Sequence, residues 1–463
     1  MSSEIIRDAN YKTKSLSVSF VERLAFGCGD LANNVIYAAI TTFLLFYYTN
    51  VIGVSAAAVG TIMLISRFLD GIADLTMGVI VDRTKSKYGK ARPWILRMAV
   101  PFAIGAVLLF SVPMSWGNNA KLVYIFITYN LVSTVIYTSI NVPYATLNAL
   151  ITQDQYQRSV LSIFRMILAT VGTMGIALLT LPMVKLFGNN PRAWSLTFAV
   201  FGVVAVFLFL FTFLGTKERV KPANKKQIEN NIPIKDGVKA LFKNKYWGII
   251  TTSLILIFII LTINGGSTIY YAETILGNKD LVGILATAMN LAQIVTMLLL
   301  ARFIKRYGKR NVMIVGSIIT IFAYGIMALS GKNVQILLLG NIIKGFGSGA
   351  IIACMFTMVS DTIEYGEWKT GLRTEGLINS ASSFGFKVGG GLGAAMIGWI
   401  LSAGGYVASS NVQSASAIFA IKSLYIYLPM ILTVIQIAIL LLYKLDKEYP
   451  SILQDLIDRS DSN

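Results

Sequence analysis

The sequence contains no histidine and only two cysteines, Cys28 and Cys354, set far apart inside apolar stretches. Without histidine there is no His-dependent catalytic triad, and two lone cysteines provide neither a disulfide framework nor a zinc site. Charge is also scarce. Asp, Glu, Lys and Arg make up 13% of the 463 residues, against about 25% in ordinary soluble domains. Hydrophobic residues make up 55%, and mean hydropathy is +0.67. A chain so poor in charge belongs in a bilayer. Acids are rarest, 22 against 40 Lys and Arg, for a net charge of +18. Nucleic-acid binding would need those cations on one folded face. They fall instead in short blocks between apolar runs, the pattern of membrane topology signals. Nucleic acid is therefore not an expected partner; the lipid bilayer is. The first twenty residues are polar, with Glu4, Arg7, Asp8, Lys12 and Lys14, so no cleaved secretory signal is expected.

A spanning helix needs about 20 mostly apolar residues. Six are expected in the first half, near 24–49, 54–81, 94–114, 121–149, 160–186 and 193–215. Six more are expected near 248–272, 281–303, 311–330, 334–360, 376–403 and 417–443. The runs lack the alternation of barrel strands. The fold class is thus all-α integral membrane, twelve helices in two six-helix bundles. Residues 1–215 form the first bundle, 216–246 a linker, 247–444 the second bundle and 445–463 a tail. The linker carries nine Lys/Arg and the polar string "ANKKQIENN". Cations gather after even-numbered spans and are few after odd ones, which places both termini on the cytoplasmic side.

Two of the basic loops are alike. "DRTKSKYGKARPW" follows the second span, and "FIKRYGKRNVM" follows the second span of the other half. Recurrence at the same ordinal points to internal duplication, as in carriers that hold substrate between two repeats. The plain alternative is that short cytoplasmic turns are often basic and contain glycine. The expectation is that Gly89 and Gly308 make tight turns. Arg83, Lys90, Arg306 and Lys309 would then gate against acids such as Asp82 or Asp361.

Charges inside the spans are costly, about +2.5–3.5 kcal/mol each on insertion scales, and normally face a cavity or a partner. "SRFLDGIADLTMG" stacks Arg67, Asp70 and Asp74 on one helical face. Arg67 with Asp70 reads either as a buried pair that orients helices or as part of a site. Two carboxylates one turn apart repel unless a cation sits between them or one holds a proton. Asp70 and Asp74 are therefore a candidate site for Na⁺ or H⁺, with Thr138 and Asn141 as neutral oxygen ligands. The first span offers Asp30, Asn33 and Tyr37, the fourth Tyr144, the fifth Arg165 and the eleventh Lys387. Asp30 reads as a sugar-hydroxyl acceptor or proton carrier, against a snorkelling residue at a helix end. Lys387 would complete a charge network with these acids. Most aromatics in such a chain simply pack or face lipid.

"FGCGDLANN", "RFLDGIADLTMGVIVDRTKSKYGKARPWIL", "NVPYATLNALI" and "VSDTIEYGEWKTGLRTEG" resemble the glycoside–pentoside–hexuronide:cation symporter family, typified by melibiose permease. The resemblance covers nearly the whole chain. It implies a major facilitator superfamily fold and cation-coupled sugar uptake by alternating access, with no cofactor and no enzyme activity, in a bacterial cell membrane. A monomer would suffice. It also implies that Asp30 and Arg165 hold sugar hydroxyls, with Asn33, Tyr37, Asn141, Tyr144 and Lys387 around them. Asp70, Asp74, Thr138 and Asn141 would hold the coupling ion, H⁺ or Na⁺. Asn141 stands where melibiose permease has an aspartate, which favours H⁺ over Na⁺, and Ala145 stands where it has a tryptophan, so the galactoside preference does not transfer. A pentose-containing glycoside such as an isoprimeverose-type xyloside is the first expectation. Galactosides and glucuronides are alternatives, and a lysolipid is a more distant one. A channel would not need opposed halves with gating hairpins, and a membrane enzyme would need a nucleophile or metal that the chain does not offer.

Overall fold

A computed structural model describes residues 18–152, 154–220, 234–372, 375–410 and 412–461. The string Ala223–Asn231, Arg373 and the polar start of the chain lie outside them. The described residues form helices joined by turns, with no strand among them, and eleven helices are long and apolar enough to cross a membrane. They are α2 (Ala56–Arg83), α3 (Arg92–Leu109), α4 (Asn118–Ile151), α5 (Gln155–Leu186), α6 (Pro191–Gly215) and α7 (Lys245–Thr274), followed by α8 (Leu281–Tyr307), α9 (Lys309–Leu329), α10 (Val334–Thr370), α11 (Glu375–Ala403) and α12 (Ala415–Leu441). The remaining expected span is α1, Phe20–Ala39, which carries Glu22, Arg23 and Asp30 and so falls short on composition alone. It continues as wider π turns over Ile40–Leu44 and Tyr47–Val51.

Local chemistry sets the ends. Ser19, Asp154, Asn190, Asn244, Asn333 and Ser414 each accept a backbone N–H from the first turn of α1, α5, α6, α7, α10 and α12. Helix α10 runs well past its expected end at 360 and stops only at Gly371, whose φ is +69°. "SDTIEYGEWKT", which runs past the expected span end at 360, is therefore helical, because its apolar residues Ile363 and Tyr365 continue the buried face of α10. Two further helices, Ile234–Lys243 and Leu445–Asp461, arise in segments read as linker and tail. Both are amphipathic and too polar to span.

Backbone contacts divide the chain into two compact units: Met1–Ile40 with Leu69–Ile228, and Thr41–Phe68 with Glu229–Asn463. In the first unit, α1 packs on α5 and α6, and α3 on α6 and α4. Rings of Phe110 and Phe198 stack at 3.7 Å between α3 and α6. In the second unit, α10 lies against α8 and α9, and α7 against α11 and α12. The α7–α11 approach depends on small residues. A Cβ at Gly389 would lie 2.5 Å from the carbonyl oxygen of Ile255, and one at Gly393 2.9 Å from that of Ile259, the close packing usual for membrane helices.

Both repeated hairpins turn on a left-handed glycine, Gly89 at φ +104° and Gly308 at φ +79°. Each is fastened by an acid that follows the last helix of its half. In the first unit, Glu218 Oε2 accepts from Lys90 N at 2.8 Å, and Oε1 accepts from Ala91 N and Arg92 N at 2.9 Å. These are orphan donors at the start of α3, where a carboxylate also complements the helix dipole. In the second unit, Asp446 Oδ2 accepts from Arg310 N at 2.8 Å at the start of α9. Arg92 donates to the carbonyl of Phe213, and Arg310 to those of Leu440 and Leu441. The same cap and the same arginine therefore occur in both units, which is direct structural support for duplication.

Candidate functional site

The first unit holds most of the residues singled out from sequence. Helices α2 and α4 meet in register. The Thr134 hydroxyl donates to Asp70 Oδ1, and the Thr138 hydroxyl donates to Asp74 Oδ1 at 3.2 Å. Acids at i and i+4 thus face hydroxyls at i and i+4. Asp70 is 2% exposed, and Asp74 is half-buried. Thr134 sits in the π stretch of α4, Asn130–Ile136. Wide turns of this kind occur preferentially at functional sites. Thr138 was expected from sequence, whereas Thr134 was not. A threonine inside an apolar run carries no signal until the partner helix is known. Asn141, the other expected ion ligand, is half-buried on α4, and no side-chain hydrogen bond joins it to Asp70 or Asp74 among the described residues.

The second group lies on α1, α4 and α5. Arg165 Nε donates to Asp30 Oδ2 at 2.9 Å, and their side chains are 32% and 12% exposed. The Arg165 guanidinium also lies over the Tyr144 ring, 5.4 Å from its centroid. Tyr144 is fully buried, stacks on Phe26 at 4.9 Å and donates its hydroxyl to the Phe26 carbonyl at 2.7 Å. Its polar atom is therefore committed to the backbone, and its face supports Arg165. Gly29 makes this possible, since a Cβ there would lie 2.4 Å from the Tyr144 ring. Tyr37 stacks on Tyr137 at 5.1 Å, joining α1 to α4. Asn33 is wholly buried, and neither its amide oxygen nor its nitrogen finds a partner among the described residues. A buried amide left unpaired costs free energy unless water or a polar ligand reaches it.

The second unit contributes separately. Lys387 lies half-buried on α11, and Arg67 packs its stem against Gly391, where a Cβ would lie 2.4 Å from Arg67 Cγ. Of the expected gating residues, Lys309 Nζ donates to both carboxylate oxygens of Asp361 at 2.6 Å. Arg306 is exposed beside the ring of Tyr307. In the first unit, Arg83 ends α2 and is exposed, as is Asp82, while Lys90 is engaged through its backbone by Glu218.

Glu22 lies in the first turn of α1. It is 4% exposed, takes a two-point contact from Arg219 at 2.9 and 2.7 Å, and accepts from Lys217 N at 3.0 Å. It anchors the chain segment that leaves α6. Lys344 is a charge inside the α10 span. It is 3% exposed on α10 between the rings of Tyr324 and Tyr425, 5.7 and 5.0 Å away.

The chain matches the MFS/sugar transport protein family over residues 25–447. It is 34% identical to an isoprimeverose transporter of Lactiplantibacillus pentosus, covering 95% of this chain and 91% of that one. It is 32% identical to the inner membrane symporter YicJ of Escherichia coli, covering 90% of each. It is 29% identical to a glucuronide carrier protein homolog of Escherichia coli, covering 94% and 95%. Among solved structures, a bacterial homologue of the lysosomal transporter Spinster in an inward-facing, unoccupied conformation superposes with a TM-score of 0.66. It shares 15% identity and covers 93% of this chain and 97% of that one. The nucleoside transporter NupG (D323A mutant) gives 0.64 at 16% identity, covering 90% and 99%. These two share the fold. With helices, duplicated hairpins and family match in agreement, the chain belongs to the MFS/sugar transport protein family and is a multi-pass membrane carrier rather than an enzyme.

Proposed function

We propose that the protein is a symporter that couples uptake of a pentose-containing glycoside, of the isoprimeverose type, to a proton. One observation carries this reading: within one unit, an acid–hydroxyl ladder (Asp70–Thr134 and Asp74–Thr138) accompanies an acid–base pair (Asp30–Arg165). The pair offers a carboxylate acceptor and a guanidinium donor, the groups that bind sugar hydroxyls by charge-assisted hydrogen bonds. Asn33, with both amide groups unpaired, adds further hydrogen-bonding capacity on the same helix. Resemblance to the isoprimeverose transporter supports a xyloside as the substrate. Resemblance to the glucuronide carrier homolog favours a glucuronide as the alternative.

The ladder supplies two carboxylates and two hydroxyls, a donor set that fits either ion. With two formal negatives and neutral Asn141, a strongly hydrated Na⁺ gains less than in a site with three carboxylates, whereas a proton needs only one oxygen. Proton coupling is therefore the favoured form. In this reading both termini are cytoplasmic, and the hairpins at Gly89 and Gly308 close and open that face during alternating access. The test is uptake of labelled isoprimeverose into proteoliposomes under an imposed proton or Na⁺ gradient. Uphill accumulation should follow the proton gradient. Accumulation that follows Na⁺ at fixed pH would reject the proton, and saturable uptake of a glucuronide but not the xyloside would reject the substrate.

A further inference from the structure

The lipid-facing surface of the second unit contains a feature that sugar transport does not use. An apolar groove of about 440 Å³ runs between α8, α9 and α10. Val295, Leu299 and Phe303 line it from α8, Val315 from α9 and Phe346 from α10. Its walls are exposed apolar side chains: Leu299 is 63% exposed, Phe303 53% and Val315 54%. On a membrane carrier such exposed apolar side chains face acyl chains. At the hairpin end the lining changes to Tyr307 and Asn311.

The charges beyond that end select the headgroup. Arg302 and Arg306 follow Val295 and Leu299 at helical spacing, so they continue the groove face of α8. Both are exposed, as is Lys305. The nearby acids are already engaged, Asp361 by Lys309 and Asp446 by the start of α9. Among the described residues none pairs with Arg302, Lys305 or Arg306. An amphipathic ring, Tyr307, stands at the boundary with the Arg306 guanidinium 5.3 Å from its centroid, as expected of a side chain at headgroup level. An apolar slot ending in uncompensated cations complements an anionic phospholipid, and basic pockets between membrane helices are recognised lipid sites.

We propose that this groove is a specific site for an anionic phospholipid of the leaflet at the hairpin end. One acyl chain would lie along Leu299 and Val315, with the phosphate on Arg302 and Arg306. The lipid would brace α8 against α9 across the one-residue connection at Gly308.

The test uses purified full-length protein in detergent, titrated with phosphatidylglycerol or with phosphatidylcholine of the same chains, and reads the melting temperature. Phosphatidylglycerol should stabilise at lower concentration than phosphatidylcholine. In R302Q/R306Q its half-saturating concentration should rise about fivefold per residue, erasing most of the preference. Leu299→Trp, which fills the slot, should weaken both lipids. A control pair on another part of the surface, K185Q/R192Q, should change neither. An unchanged preference in R302Q/R306Q would overturn the proposal, as would an equal loss in the control pair. Equal stabilisation by glycerol phosphate or inorganic phosphate would also overturn it, since the site would then take free anions.

Discussion

The Asp30–Arg165 pair allows a quantitative test by a double-mutant cycle. Two unit charges about 4 Å apart attract by about 4 kcal/mol at an effective dielectric constant of about 20. Taking a carboxylate that is 12% exposed out of water returns much of this, and Arg165, at 32%, keeps part of its hydration. A net coupling of about 1–2 kcal/mol follows. Asp30→Asn alone leaves the guanidinium over the Tyr144 ring without its acid, and Arg165→Gln alone leaves a largely buried carboxylate. Each single change should therefore cost about 2–3 kcal/mol of stability. The double variant should cost less than the sum by the coupling energy. Thermal unfolding in detergent measures the cycle, and calorimetric titration with sugar measures function in parallel. Sugar binding should be nearly lost in all three variants, because either partner alone lacks half of the donor–acceptor set. Stability costs that add within about 0.3–0.5 kcal/mol would show the two groups to be independent. Retained sugar affinity in either single variant would move the sugar site elsewhere.

Other expectations follow from contacts already described. Thr138→Val removes the hydroxyl facing Asp74 and should lower uphill accumulation while leaving sugar counterflow, measured in proteoliposomes; an equal loss of both would contradict an ion-coupling role. Glu218→Ala frees three backbone N–H groups at the start of α3 and should cost about 1–2 kcal/mol in thermal unfolding. Gly89→Ala should cost about 1–3 kcal/mol, since it forces a side chain to positive φ and places a Cβ 2.3 Å from the Glu218 carboxyl. Its cost should be smaller in a Glu218→Ala background, and full additivity would count against the contact. Lys309→Gln should slow translocation without weakening sugar binding, as read by comparing uptake rate with calorimetry.

Much of this was legible in the sequence because membranes restrict the options. Spans are long and apolar, so α2 to α12 could be located, and glycine in a basic loop announced both turns. Asp70 and Asp74 were visible because charges in hydrocarbon are rare and helical spacing fixes which share a face; Thr138 was visible as a neutral oxygen in the polar stretch of the fourth span that the family resemblance covers. What was not legible depends on which helices touch. Thr134 looks like any threonine in an apolar run, and only packing against α2 distinguishes it. Glu22, Glu218 and Asp446 sit in polar segments where an acid is unremarked, yet each satisfies backbone or cationic groups from another part of the chain. The helical continuation of α10 was hidden by its acids Asp361, Glu364 and Glu367, which suggest a loop although Ile363 and Tyr365 keep the buried face going.

The two hairpin caps also bear on where this chain tolerates being cut. Glu218 and Arg219 are the third and fourth residues of the linker, so a break further along it leaves the start of α3 and the Glu22 contact whole within one fragment. The second half has no such margin. Its capping acid, Asp446, stands beyond the last spanning helix, with Glu448 after it accepting the Tyr246 hydroxyl at 2.9 Å. A chain ended just after α12 would keep every spanning segment and still lose the residue that fastens α9. The short polar stretch after the final span is therefore part of the second half, as the first residues of the linker are part of the first.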